Sequence, residues 1–214
     1  MTAPFTDVHE AHIKRLQALE AHIDDEGLLI GDTHVMFFAE AELMSMHADA
    51  LLSGTTRANI LEVGLGLGVF AEQAAAHRCA TYTAIEPHPQ VASLTQERVL
   101  RRVTRDTVVH VRPWQLVRLA PRHFDAIMYD TWPPDGLADA DFEAFVEHVA
   151  LPSLRPGGRF SFFSSGASVS PRRAAILSER FRDWSEEQYT LPPGRIPIAW
   201  TKPTTDFTIP VAVR

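Results

Sequence analysis

Two hydrophobic periods run along this chain. Ile13, Leu16, Leu19 and Ile23 recur at helical spacing between charged residues, which predicts a first helix over that stretch. Gly27 and Gly31 interrupt it, and a second helical pattern follows over 38–52. Short apolar runs then alternate with helical patterns. Strands are expected over 60–63, 82–86, 107–111, 124–130 and 158–163, and helices over 69–77, 89–103 and 141–149. Five prolines follow Leu191, and a last strand-like run covers 207–213. Alternation on this scale predicts an α/β fold, a mostly parallel sheet with helices on both faces and an antiparallel C-terminal strand.

Composition narrows the setting. The 214 residues, 45% of them hydrophobic, suffice for a sizeable core, divided here into a helical arm or lid over 1–27 and a main domain over 28–214. A net charge of −7 with no basic run longer than a pair disfavours a nucleic-acid partner. Apolar runs are too short for a bilayer, so no membrane partner is expected, and the N-terminus lacks the pattern of a signal peptide. The single cysteine, Cys79, forms no internal disulfide and fits a reducing, cytoplasmic setting; it reads as a small hydrophobe rather than a catalytic thiol. The ten histidines show no metal-ligand spacing, so no metal is expected, and His9, His12 and His22 read as solvated or locally bonded.

Chemistry concentrates in Asn59-Ile-Leu-Glu-Val-Gly-Leu-Gly-Leu-Gly-Val-Phe70. An apolar strand enters Gly64-x-Gly66-x-Gly68 with an acid, Glu62, just ahead, and Glu86 ends the next strand. Glycines that turn tightly under a ligand, with a carboxylate for ribose hydroxyls, hold adenosine-containing cofactors. Val69 stands where a dinucleotide fingerprint needs a third small residue, which counts against a nicotinamide oxidoreductase. That reading, and a tight turn without a ligand, stay as alternatives.

The G-x-G-x-G spacing with Glu62 is similar to motif I of Rossmann-like class I S-adenosylmethionine-dependent methyltransferases, and Leu154-Arg-Pro-Gly-Gly-Arg-Phe160 resembles the turn before their fifth strand. Tyr129-Asp-Thr-Trp-Pro133 resembles the Y-D-T-Y-P segment of guanidinoacetate N-methyltransferase and its bacterial arginine-methylating relatives. Ile30-Gly31 through Val35-Met36 and Glu40 to Met44, Pro113-Trp114-Gln115, Thr190-Leu-Pro-Pro193 and Phe207-Thr-Ile-Pro-Val211 continue the likeness over 28–214.

The resemblance implies a donor, S-adenosylmethionine, a product, S-adenosylhomocysteine, and a small guanidino acceptor such as free arginine or a related guanidino acid; the altered tail pocket, not the resemblance, suggests a place in specialised metabolism. It implies that Met36 and Met44 flank the methionine end. Glu62 and the run Gly64, Leu65, Gly66, Leu67, Gly68, Val69 and Phe70 would wrap the cofactor. Glu86, beside Pro87 and His88, would hold the ribose, and Trp114 and Gln115 would border the adenine. Glu40 and Asp130 would grip the guanidino group and carry catalysis. Thr131 and Trp132 would wall the acceptor, and the backbone at Ser165-Gly166 would meet its carboxylate.

The residue chemistry agrees: a planar guanidinium presents paired N–H donors that match carboxylates. Phe37-Phe38-Ala39 replaces the family's E-R-W, and Gly166 a threonine, so the acceptor's tail pocket is expected to differ. Plainer roles remain open: Asp130 as a turn cap, Glu40 as a solvated helix residue, Met36 and Met44 as core. A protein-arginine methyltransferase, a methyltransferase of another small molecule and a non-catalytic partner subunit also stay open. The first helix is left between a lid over the ligands and a homodimer contact.

Overall fold

The computed structural model describes residues 4–214, so the first three residues of the arm expected over 1–27 lie outside the described residues. Helix α1, Asp7–Gln17, begins after Thr6, whose hydroxyl lies 2.8 Å from His9 Nδ1. It ends sooner than the apolar spacing predicts. Ile23 belongs instead to β1 (Ala21–Ile23), which joins β2 (Gly27–Ile30) and β3 (Thr33–Phe37) in a 3-stranded antiparallel sheet. The Asp24 carboxylate accepts the amides of Glu26 and Gly27 at 2.8 and 2.9 Å, and this turn favours a hairpin over a continued helix. The division at 27/28 falls at the first residues of β2.

One turn at Phe38–Glu40 leads into α2 (Ala41–Leu52). The alternating part follows: β4 (Asn59–Val63), α3 (Val69–Ala74), β5 (Thr81–Ile85), α4 (Pro89–Thr95), β6 (Thr107–His110), β7 (Phe124–Tyr129), α5 (Ala138–Phe145) and β8 (Leu154–Phe162). Helical backbone continues α4 to Val103 and α5 to Ser153. Then come β9 (Ser164–Ser165), α6 (Pro171–Arg180), β10 (Asp183–Thr190) and β11 (Asp206–Val213). Strand order is β10-β11-β8-β7-β4-β5-β6, with β9 paired to β11. The β8-β7-β4-β5-β6 portion is parallel, and β11 is antiparallel to β8 and β10. Sequence pattern missed α6 and β10. Both are largely exposed, so neither shows an apolar period over enough residues to read.

Parallel strands buried on both faces read as continuous apolar runs, and here alternate residues feed two cores. Ile60, Ala126 and Met128 enter one with α2 and α3; Leu61, Val63, Ile127 and Tyr129 enter the other with Phe142, Phe145, Phe160 and Phe162. Cys79 donates to the Ala74 carbonyl at 3.3 Å, and burial pushes its thiol up to about 11, far from a reactive thiolate. From β4 the chain runs out through β5 to β6, then returns to β7 on the other side. The switch point between β4 and β7 is where open α/β sheets bind ligands.

Candidate active site

The backbones after β4 and β7 cross at that switch point. Gly64 N–H donates to the Ile85 carbonyl at 2.9 Å, and Asp130 N–H to the Val63 carbonyl at 2.8 Å. Gly64 has φ +85°, and a Cβ there would stand 1.5 Å from the Asp130 carbonyl oxygen, so only glycine fits. Gly66, at φ +48°, leaves room for the Met36 sulfur, 2.9 Å from where a Cβ would sit; that sulfur also accepts the Leu67 N–H at 3.3 Å.

Beside this turn opens a cavity of about 500 Å³. Gly64, Gly66 and Met36 line it. The rest of the predicted wrapping run does not: Leu65, Leu67, Val69 and Phe70 pack into the core, and Gly68 caps the start of α3. Their apolar side chains hold the turn down while its backbone faces the cavity. Met44, 1% exposed, is likewise core rather than cavity wall, because α2 turns its apolar face onto the sheet. Glu62 is also set back, accepting the Tyr82 hydroxyl at 2.6 Å, and burial pushes its carboxyl well above the usual range.

Glu86 lies on the cavity wall. Its carboxylate accepts the amides of His88, Leu65 and Gly66 at 2.9, 3.1 and 3.3 Å, which ties β5 to the glycine turn. Burial outweighs these bonds and pushes its carboxyl up to about 7. Pro87 and His88 continue the wall; His88 Nε2 meets the Leu19 carbonyl at 3.1 Å, and its buried Nδ1 has no partner among the described residues. Trp114 and Gln115 close the next side, and both donate to one carboxylate that sequence reasoning missed. Asp141 receives Trp114 Nε1 at 3.3 Å, Gln115 Nε2 at 2.9 Å and the Tyr129 hydroxyl at 2.6 Å. No motif marks Asp141; three donors, two from the turn at Trp114–Leu116 and one from β7, meet it only in the fold.

Helix α1 forms a further wall. His9 lies 3.4 Å from Asp141, His12 2.9 Å from the Trp132 carbonyl, and Gln17 donates to the Pro87 carbonyl at 2.6 Å. His9 and His12 keep the local bonds expected of them, to Thr6 and Arg15, but they are buried and add long-range contacts, because α1 folds back across the cavity. Trp132 remains 48% exposed at the rim.

Asp130, Thr131, Phe163 and Lys202 define the remaining end. Burial pushes the Asp130 carboxyl up to about 7, against the pull of the Lys202 ammonium and with the Glu40 charge adding to the rise. Glu40, 2% exposed, accepts the Phe37 amide at 2.9 Å and forms an ion pair with Lys202. It is no solvated helix residue, nor does it stand on the cavity wall: Lys202 covers it. A second cavity of about 360 Å³ shares Asp130, Thr131 and Phe163, then runs past Ser165, Ser168 and Ser170 to Arg173. Gly166 departs from expectation. Its carbonyl accepts the Thr208 hydroxyl at 2.7 Å and its amide donates to the Asp206 carbonyl at 2.7 Å, so β11 has taken the N–H that would have met an acceptor carboxylate.

Residues 10–170 match the family described as guanidinoacetate N-methyltransferase. The chain belongs to that family. A comparison with curated proteins finds no match. Among solved structures, the N-methyltransferase NodS of Bradyrhizobium japonicum WM9 in complex with S-adenosylhomocysteine has a TM-score of 0.65 at 17% identity, covering 98% of this chain and 99% of that one. Magnesium protoporphyrin IX methyltransferase of Synechocystis PCC 6803, with bound S-adenosylmethionine, gives 0.58 at 14% identity, covering 86% of each chain. The tRNA (m1A58) methyltransferase TrmI of Aquifex aeolicus gives 0.56 at 12%, covering 94% of this chain and 76% of that one. These neighbours share the class I fold, while the names of the last two carry unrelated acceptors. The protein is thus an S-adenosylmethionine-dependent methyltransferase, and its acceptor has to be argued from its own residues.

The cavity suits that cofactor. Its volume is in the range of small-molecule sites, and the absence of Cβ atoms at Gly64 and Gly66 lets a ligand approach the backbone. A carboxylate offers about four lone-pair sites, so Glu86 keeps acceptor capacity for hydroxyls beyond its amide bonds. Among the described residues no helix is long and apolar enough to cross a membrane, and no group of three or more His, Cys, Asp or Glu could hold a metal.

Proposed function

We propose that this methyltransferase acts on the guanidino group of a small molecule, free arginine or a related guanidino acid. The observation that carries the reading is the pair of carboxylates, Asp130 after β7 and Glu40 before α2, facing one cation beside the glycine turn. Two acids brought from separate elements suit a planar cation with donors on both edges.

Met36, Gly64, Gly66, Glu86, Pro87, His88, Trp114 and Gln115 would hold S-adenosylmethionine, whose sulfonium would supply an activated methyl group. Asp130 accepts the guanidino N–H groups and aims one nitrogen toward the glycine turn. Glu40 balances the charge and orients the second edge. With Asp130 near 7 against roughly 13 for a guanidinium, complete deprotonation beforehand would still cost about 8 kcal/mol. The proton therefore leaves late, once the nitrogen gains its new substituent and turns strongly acidic, and Asp130 takes it. Alignment and fixed charges supply the rest. The second cavity takes the acceptor's tail, where Ser165, Ser168 and Arg173 offer donors to a carboxylate.

A mass-spectrometric methyl-transfer assay with guanidinoacetate, arginine, agmatine and non-guanidino amines tests the reading. One guanidino compound gains a methyl, and Asp130→Asn abolishes the gain. Methylation confined to compounds without a guanidino group would overturn it.

A further inference from the structure

We propose that the Lys202 ammonium occupies the acceptor's own cation site, and that the acceptor binds by displacing it from Glu40 and Asp130. The proposal rests on the guanidino reading for the acceptor's chemistry, but it concerns a residue which that reading does not use. Lys202 belongs to the segment 191–205 between β10 and β11, far in sequence from both acids. Its ammonium pairs with Glu40, lies close enough to Asp130 to favour its ionised form, and sits 4.3 Å from the Phe163 ring centroid and 5.9 Å from that of Trp200. Two carboxylates and two aromatic faces make a cation cage, and a guanidinium would use the same four groups.

Charge bookkeeping favours exchange over addition. With Asp130 ionised, Glu40, Asp130 and Lys202 together carry one net negative charge, and trading one cation for another leaves it unchanged. An acceptor entering beside Lys202 would instead press two cations together, next to the sulfonium of the donor. Release needs only the lysine stem to swing, because its segment is fastened elsewhere. Glu26 accepts the amides of Ile198 and Ala199 at 2.7 and 2.9 Å, Arg195 pairs with Glu42 at 2.6 Å, and Trp200 packs 4.9 Å from Phe37. Lys202 thus sets acceptor affinity: a site filled by the internal cation for most of the time binds the external one more weakly by the fraction left open.

The chain has only two lysines, Lys14 and Lys202, which makes a direct test clean. Lys14 is 72% exposed at its side chain and Lys202 19%, so Lys14 serves as the internal control for amine acetylation read by mass spectrometry. Protein saturated with S-adenosylhomocysteine is labelled with and without guanidinoacetate, 4-guanidinobutyrate or 4-aminobutyrate. The binding guanidino compound should raise Lys202 labelling about five-fold while Lys14 stays constant, as expected when a competitor empties the site. Lys202→Met, which keeps the stem's packing, should lower the acceptor KM about ten-fold, and Lys202→Arg, a better fork for carboxylates, should raise it. A purely structural ion pair would not give opposite signs in these two variants.

If a guanidino compound is methylated while Lys202 becomes less reactive and neither variant shifts KM, displacement is wrong and the guanidino reading stands. If only the amine releases Lys202 and is methylated, displacement stands and the guanidino reading falls. If no cation of either kind releases Lys202, the proposal is overturned.

Discussion

Asp130→Asn should make the protein a poorer catalyst and a more stable fold. Burial holds the Asp130 carboxyl at about 7 against an ordinary 3.8. A carboxyl with a raised folded pKa contributes stability that is fully present below its unfolded value and lost as pH rises through the folded one. The raised Asp130 carboxyl therefore costs the fold about 2 kcal/mol near pH 5.5, where folding must protonate it, and about 4 kcal/mol near pH 8.5, where it is buried ionised, taking 1.36 kcal/mol per unit between 3.8 and about 7. Asparagine has the same shape and no charge, so the variant's advantage in urea melts should grow between those two pH values. Turnover should fall about 1,000-fold, or roughly 4 kcal/mol of barrier, as for loss of a positioned base. Methyl transfer at saturating substrates measures the second quantity on the same preparation. A variant that kept turnover within ten-fold would remove Asp130 as the base. One whose stability difference did not change with pH would remove the claim that its charge strains the fold.

The acceptor's kcat/KM should drop about ten-fold per pH unit below about 7, because protonated Asp130 no longer holds a cation. Glu86→Gln should leave that limb in place while raising the cofactor KM, which a stopped methylation assay across pH resolves. Asp141→Asn, which turns one acceptor of Trp114, Gln115 and Tyr129 into a donor, should weaken S-adenosylhomocysteine binding about ten-fold by calorimetry; unchanged affinity would dismiss Asp141 as the organiser of that wall. Gly64→Ala should cost about 3 kcal/mol or more in thermal unfolding, since both φ and the Asp130 carbonyl refuse a Cβ. Burial depresses His47 to about 3 from 6.5, so the stability its neutral ring allows is present above 6.5 and drains away as pH falls toward about 3. His47→Gln should accordingly shift acid unfolding to lower pH, followed by circular dichroism.

The sequence by itself determined the frame and the donor side. Strand positions such as 60–63 and 124–130 were legible because parallel strands buried on both faces are apolar throughout, and the turn between Gly64 and Gly68 because its geometry refuses a side chain at Gly64, Gly66 and Gly68. Asp130 was legible for the same reason: it follows a buried strand at its carboxyl end. Local pattern misled wherever long-range contacts outbid it. Leu19 and Ile23 kept helical spacing, yet the Asp24 turn and the pairing of β1 with β2 took them out of the helix. Met44 and Glu62 lie in the right motif but point into the core, since a motif marks a stretch of backbone and cannot say which side chains the packing will turn outward. Only the tertiary structure joined Asp141 to Trp114 and Gln115, brought His9 and His12 back across the cavity, and carried Lys202 over 162 positions to Glu40. No local rule encodes such meetings. They arise because burying a charge is costly until a partner from elsewhere in the chain compensates it, and the choice of partner is made by the whole fold.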